Sequence, residues 1–205
     1  MAITFYAAAN SSAVPVACAL HELGVPHERI NIDLASKAQK NPEFLALNPN
    51  GKVPTLVVDG TAMFEALAIV QWLGDRYGVE KGLWPAFDTP ARLTAISWTT
   101  WTYVTLAAPL HRFGLAASQW APAELRSESH ARHARTELQH LLGLLDARLA
   151  RQPHMLGNDY TLVDSLLANM LRYAAIVGVS SDMHAHVRAW LERCYARPAM
   201  RAEWG

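Results

Sequence analysis

Two short motifs near the start of the chain contain residues suited to holding a small peptide. The first is Asn-Pro-Asn-Gly-Lys-Val-Pro at 48–54, and the second is Glu65-Ala66. Proline has no N–H to donate, so Pro54 marks the entrance of a strand rather than its interior. An X-Pro turn there, which can be cis, leaves the backbone N–H and C=O of Val53 free to pair with an extended peptide. Glu65 would face the amino end of that peptide.

The composition limits the classes of partner. The 205 residues are 51% hydrophobic and carry a formal net charge of zero, which predicts a globular protein with no field that attracts nucleic acid or an anionic membrane. No leader pattern and no run of about 18 apolar residues occurs, so we expect a cytoplasmic protein. Cys18 and Cys194 lie in apolar helical patterns without a Cys-x-x-Cys pair, which predicts two reduced core cysteines.

The order of predicted elements is βαβαββα followed by helices only. The pattern predicts strands at 3–6, 27–32, 55–58 and 62–64 and helices at 14–23, 42–47 and 65–77. Asp59-Gly60 favours a hairpin between the last two strands. Later helices are expected at 90–115, 122–150, from Thr161 to 177, and up to Pro198. The expected domains are therefore 1–78 and 90–205, with 79–89 as a linker.

This arrangement resembles the cytosolic glutathione transferases over essentially the whole chain. The resemblance is carried by 48–54, by Phe-Glu-Ala-Leu-Ala-Ile at 64–69 and by a capping box at 161–164. It is strongest to the bacterial beta class and has theta-like features. It implies a thioredoxin-like first domain, an all-helical second domain, a cis Pro54 and a homodimer. It also implies that the Val53 backbone pairs with the cysteinyl part of glutathione, while Glu65 and the Ala66 N–H hold the γ-glutamyl end.

Charge complementarity favours the same contacts. The γ-glutamyl carboxylate suits the N–H groups at a helix start near Glu65, and its ammonium suits the Glu65 carboxylate. Lys52 is a candidate for the glycyl carboxylate, although a loop lysine is commonly only solvated. Many family members have Ser where this chain has Ala66, and the loss of that hydrogen bond would weaken binding by roughly 1.5–3 kcal/mol.

The residue that activates the glutathione thiol is expected in the loop at 7–13. That loop has no Tyr or Cys, and its candidate donors are Ser12, then Ser11, then Asn10. Ser12 would also have the helix dipole behind it, which lowers a thiol pKa. The ordinary alternative is that Ser11 or Ser12 caps the helix. Tyr6 belongs to the strand and is expected to be packed rather than catalytic.

The later helices contribute weaker candidates. His111 follows an apolar residue as a beta-class histidine does, but the alignment is loose and a surface role is the alternative. His130 and His133 have metal-ligand spacing, yet no carboxylate or cysteine pattern completes a site, so we expect a solvated face and no metal. An electrophile could be held by an apolar wall whose spacing suits a core equally well: Tyr103, Leu106, Leu110 and Phe113.

Three functions remain open from the sequence. The first is a transferase that uses glutathione as co-substrate and adds its thiol to an apolar electrophile. The second is a glutathione-dependent peroxidase or disulfide reductase, and the third is a non-catalytic binding module of the same fold. No nucleic-acid or membrane partner is expected.

Overall fold

A mixed four-stranded sheet organises the first part of the chain in the computed structural model, which describes residues 1–119 and 121–204. The strands are β1 (Ile3–Ala7), β2 (Glu28–Asn31), β3 (Thr55–Val58) and β4 (Thr61–Phe64), in the order β2-β1-β3-β4. β1 and β2 are parallel, whereas β3 is antiparallel to both β1 and β4. The hairpin between β3 and β4 turns at Asp59 and Gly60, both at positive φ, as the sequence predicts.

Three helices accompany the sheet. They are α1 (Val14–Leu23), α2 (Pro42–Leu47) and α3 (Ala66–Leu73), and α3 continues into a π-helical turn at Gly74–Gly78. α1 ends where Gly24 adopts a left-handed conformation and its N–H bonds back to the last turn. The fold class predicted from the sequence, a thioredoxin-like βαβαββα unit followed by helices, is confirmed.

The chain divides differently from the predicted domains at two places. One compact unit comprises Met1–Phe87 together with the segment that begins at Arg197, and the other comprises Asp88–Ala196. The predicted linker at 79–89 is largely part of the first unit because Trp84 is only 2% exposed. Its side chain lies so close to Gly74 and Gly78 that a Cβ at either position would be within 2.8 Å of a Trp84 atom.

The segment that begins at Arg197 belongs to the first unit because it contains the last helix of the chain. Pro198 was expected to end the last helix of the chain, but it begins another helix, α9 (Pro198–Trp204), because proline is well tolerated in the first turn. α9 packs in the first unit, where the Cys18 sulfur lies 3.7 Å from the Ala199 oxygen. Arg197 donates two hydrogen bonds to the carboxylate of Glu22 on α1.

The second unit is helical. Its helices are α4 (Pro90–Trp101), α5 (Ala107–Ala117), α6 (Glu128–Leu149), α7 (Leu162–Ile176) and α8 (Ala185–Tyr195). A π-helical segment, Thr102–Leu106, joins α4 to α5 where one continuous helix was predicted. The predicted capping box is present: the buried Asp164 carboxylate accepts hydrogen bonds from the Thr161 N–H (2.9 Å) and from the indole of Trp190 (2.8 Å).

Both cysteines are reduced and buried, which confirms the prediction. Tyr6 packs edge-on against Phe44, with ring centroids 5.7 Å apart. No helix within 1–119 and 121–204 is long and apolar enough to cross a membrane.

Candidate functional site

The candidate site lies at one end of the sheet because strand direction brings its segments there. β1 and β2 run in parallel, so the loop after Ala7 and the loop after Asn31 leave the sheet at the same end. β3 is antiparallel to β1, and Thr55 at its start pairs with Tyr6 near the end of β1. Thr55 also pairs with Phe64 at the end of β4. Val53 and Glu65 therefore enter or leave the sheet beside the loop that carries Ser11 and Ser12.

Val53 precedes β3 without belonging to its ladder. The Val53–Pro54 peptide bond is cis, as the resemblance implied. The carbonyl of Val53 accepts a hydrogen bond of 2.8 Å from the hydroxyl of Ser12. This bond links the loop after β1 directly to the start of β3, so two of the predicted site segments meet in space.

The two serines of the loop have different partners. Ser11 donates to the Ala8 carbonyl (2.7 Å) and accepts from the Ala13 N–H (3.1 Å), so its hydroxyl stabilises the turn that leads into α1. Ser12 is exposed, and its hydroxyl is directed across to Val53. Asn10 is exposed and has a positive φ of 52°. The capping role left open for either serine is filled by neither, because Ala13 is the residue before α1 and no described side chain caps this helix.

Buried Asn48 holds the loop before β3 in shape. Its side-chain amide donates to the Lys52 carbonyl (2.8 Å) and to the Thr55 hydroxyl (3.1 Å). Its side-chain oxygen accepts from the Asn50 N–H at 3.1 Å. The amide of one side chain therefore crosslinks the loop on both sides of Gly51.

Lys40 is a site residue that the sequence analysis missed. Its ammonium donates to the Asn50 carbonyl at 3.1 Å, and a Cβ on Gly51 would lie 2.7 Å from it. Lys52 is exposed on the same loop, so two cations lie at this end of the sheet. The sequence contains no signal for Lys40, because nothing in the spacing relates it to residue 51. A glycine at position 51 indicated only a turn, and in the structure it has a φ of 57°.

Glu65 occupies the position before the first residue of α3 in an unusual backbone conformation. Its φ of 71° and ψ of 115° lie outside the regions favoured by residues other than glycine. Such strain persists only where surrounding structure or function demands it. The side chain is exposed, and within the described residues it makes no capping hydrogen bond to α3, while Ala66 is buried. The carboxylate is therefore available at the helix start.

The remaining candidate residues, three histidines and the residues of the predicted electrophile wall, lie on helices of the second unit. His111 is exposed on α5, and His130 and His133 are exposed on α6. Among the described residues, no cluster of three or more histidine, cysteine or acidic side chains could hold a metal ion. Leu106, Leu110 and Phe113 are buried and Tyr103 is half-buried, which favours the core role for the first three. The electrophile wall stays a prediction.

Comparison with known proteins decides the family. Residues 12–76 match the model of the glutathione S-transferase N-terminal domain, and residues 101–198 match that of the C-terminal domain. The chain belongs to the glutathione S-transferase family.

Individual glutathione S-transferase relatives align along nearly the full chain. Glutathione S-transferase GstB of Escherichia coli is 32% identical, with 97% of this chain and 96% of GstB covered. The disulfide-bond oxidoreductase YfcG of Escherichia coli is 28% identical, with 96% of this chain and 92% of YfcG covered. The theta-class glutathione S-transferase of Xanthomonas axonopodis pv. citri, solved with glutathione bound, is 30% identical with a TM-score of 0.85; 98% of this chain and 96% of that chain are covered. The resemblance to the beta class stays a prediction.

Proposed function

We propose that this glutathione S-transferase family member binds glutathione at the sheet end described above and activates its thiol for addition to an apolar electrophile. The observation that carries the proposal is the Ser12–Val53 hydrogen bond, because it brings a hydroxyl to the backbone group that would bind the cysteinyl residue. A bound glutathione in the theta-class structure that aligns with this chain supports the same ligand.

Each part of glutathione would have a chemical complement. The cysteinyl backbone would pair with the N–H and C=O of Val53 beside Pro54. The γ-glutamyl ammonium would bind Glu65, and its carboxylate would accept from the Ala66 N–H at the start of α3. Lys52 and Lys40 would pair with the glycyl carboxylate.

Thiol activation would fall to Ser12. A free thiol has a pKa near 8.5, and a hydroxyl that donates to the thiolate lowers it by favouring the charged form. Ser11 is the weaker candidate because its hydroxyl is bonded on both sides within its own loop, to the Ala8 carbonyl and to the Ala13 N–H. Asn10 is the third candidate and His111 the fourth.

Ultraviolet titration of bound glutathione tests this assignment. Ser12→Ala should raise the pH at which thiolate absorbance appears, whereas the matched Ser11→Ala variant should leave it unchanged. A shift with Ser11→Ala or Asn10→Ala alone would move the role to that residue. Conjugation of glutathione to a model aryl halide should fall in parallel with the loss of thiolate.

Disulfide reduction is the second candidate function. Both cysteines of the chain are buried, so bound glutathione would have to supply the reacting thiol. The 28% identity to the disulfide-bond oxidoreductase YfcG favours this alternative. Turnover of a mixed glutathione disulfide, with no turnover of an aryl halide, would establish it in place of the transferase reaction.

We also propose that two copies of the chain associate as a homodimer. Leu93 and Ile96 lie three residues apart on α4 and are 70% and 40% exposed. Leucine and isoleucine on one exposed helix face indicate an interaction surface, and the family resemblance favours a second copy as the partner.

A further inference from the structure

The second unit contains a cavity that the proposed function does not use. Its volume is about 420 Å³, within the range of roughly 300–1,000 Å³ that is usual for small-molecule pockets. It is lined by residues of α7, of the loop at 178–182 and of α8, with one residue of α6, and all of these belong to the second unit. Much of its wall is apolar and buried: Leu142, Leu171, Ala174, Val179 and Leu191.

The same cavity has exposed charges of both signs. Arg188 and Glu192 lie one turn apart on α8, and Asp182 lies in the loop before α8. Within the described part of the chain, neither the Arg188 nor the Glu192 side chain has an ion-pair partner. Glu128 and Arg132 on α6 have the same spacing with the acid first, which is the more favourable order, and they do pair, at 3.7 Å. The charges on α8 are therefore available to a ligand.

Tyr195 contributes its ring to the cavity rather than a charge. Its hydroxyl donates to the Ala168 carbonyl at 3.3 Å, and burial raises the pKa of this tyrosine. The cavity thus combines an apolar wall with one guanidinium and two carboxylates.

We propose that this cavity binds a small zwitterion with an apolar body, of the class of the apolar α-amino acids. The apolar side chain packs against the buried leucines, the carboxylate pairs with Arg188, and the ammonium pairs with Glu192 and Asp182. Helical side chains four positions apart have Cβ atoms about 5–6 Å apart, so Arg188 and Glu192 can flank one head group that carries both charges. Two acids beside one arginine disfavour a ligand that carries a carboxylate alone.

Titration of the full chain with L-phenylalanine, followed by amide chemical shifts in NMR spectra, tests this site. The largest shifts should fall on 178–182 and on the residues of α8 that line the cavity. 3-Phenylpropanoate lacks the ammonium and 2-phenylethylamine lacks the carboxylate, so each should bind about 2- to 5-fold more weakly, the range expected for exposed ion pairs. L-Alanine has the head group without the large apolar body and should bind about 10-fold more weakly or less.

Variants assign the two charges separately. Arg188→Gln should lower the affinity for L-phenylalanine to that for 2-phenylethylamine, and Glu192→Gln should lower it about 2- to 5-fold. Ala175→Phe, which adds a ring at an exposed position of the cavity, should abolish the shifts. The matched controls are Arg132→Gln and Glu128→Gln, an oppositely charged pair on α6 that does not line the cavity, and both should bind like wild type.

Two results would overturn the proposal: no shifts at 178–182 with L-phenylalanine, or equal affinity for L-phenylalanine and both analogues with a single charge. Saturating glutathione should leave the affinity for L-phenylalanine unchanged, and competition between them would assign the binding to the candidate glutathione site instead. The cavity is independent of the proposed function, so Glu65→Ala should bind L-phenylalanine like wild type even where it has lost glutathione binding.

Discussion

The loop between β1 and α1 contains two adjacent serines whose hydroxyl groups have different hydrogen-bond partners. Ser11 closes a turn on Ala8 and Ala13, whereas Ser12 reaches Val53 on another segment. The sequence ranked Ser12 before Ser11 as the activating residue and left capping by either serine open. Only the structure distinguishes them, because the direction of a loop side chain depends on backbone angles that residue type does not determine.

Gly51 shows how a single residue shapes the loop. A Cβ there would lie 2.7 Å from the Lys40 ammonium nitrogen and 2.8 Å from the backbone oxygen of Gln39, and its φ is 57°. Gly51→Ala should lower the free energy of unfolding by about 1–3 kcal/mol, because it combines a strained φ with a backbone clash. Urea unfolding monitored by tryptophan fluorescence measures this change.

Gly60 offers a matched control for that experiment. It also has a positive φ, 85°, but a Cβ there would meet no atom within 4 Å. Gly60→Ala should therefore cost only the backbone strain, and less than Gly51→Ala. Equal losses at the two positions would show that Lys40 and Gln39 do not crowd Gly51.

At the scale of elements, the sequence pattern predicted the bounds of two helices of the first unit. The bounds of α1 and α2 match the prediction because proline, glycine and apolar spacing mark them clearly. The π-helical segment Thr102–Leu106 was not predicted, since one wider turn hardly changes the apolar pattern of a helix. α9 was missed because a proline after a helix was interpreted only as an end, although it also suits a helix start.

Asp146 caps a helix that it does not belong to. Its carboxylate lies on α6 and accepts from the backbone N–H groups of His186 (2.8 Å) and Val187 (3.1 Å) in the first turn of α8. Asp146→Ala should lower the free energy of unfolding by about 0.5–2 kcal/mol near pH 7, the usual cost of losing a cap. Asp146→Asn, which keeps an acceptor oxygen, should lose less.

The cap also predicts a pH dependence. Burial raises the pKa of Asp146, but the hydrogen bonds from His186 and Val187 lower it more, so that its pKa lies below the ordinary 3.8. Because the folded pKa is depressed, the stabilisation is present above about pH 4 and is lost as the pH falls through the folded pKa. The stability difference between wild type and Asp146→Ala should shrink in that acid range. A difference that stays constant down to pH 2 would contradict the charged cap.

At the scale of the whole molecule, the exposed apolar face of α4 predicts the oligomeric state. Leu93→Glu places a charge on a side chain that is 70% exposed, so the fold should be retained while association is lost. Sedimentation at micromolar concentration should show a dimer for wild type and a monomer for Leu93→Glu. Leu144→Glu, at an apolar side chain 46% exposed on α6, is the matched control and should remain dimeric.

The family and the cis Val53–Pro54 peptide bond could be predicted from the sequence because they depend on short, ordered patterns. The position of Lys40 and the extent of the first unit could not, because both follow from side-chain contacts that residue spacing does not reveal. The pair of Arg197 with Glu22, 175 positions apart, is one such contact.

Under the proposed function, Glu65 and the start of α3 hold the γ-glutamyl end of glutathione. Calorimetric titration of glutathione into wild type, Glu65→Ala and the exposed-acid control Glu80→Ala tests it most directly. Glu65→Ala should weaken binding by roughly 1.5–3 kcal/mol, or about 10- to 100-fold, as expected for a charge-assisted hydrogen bond, while Glu80→Ala should match wild type. Equal affinity of Glu65→Ala and wild type for glutathione would contradict the proposed site.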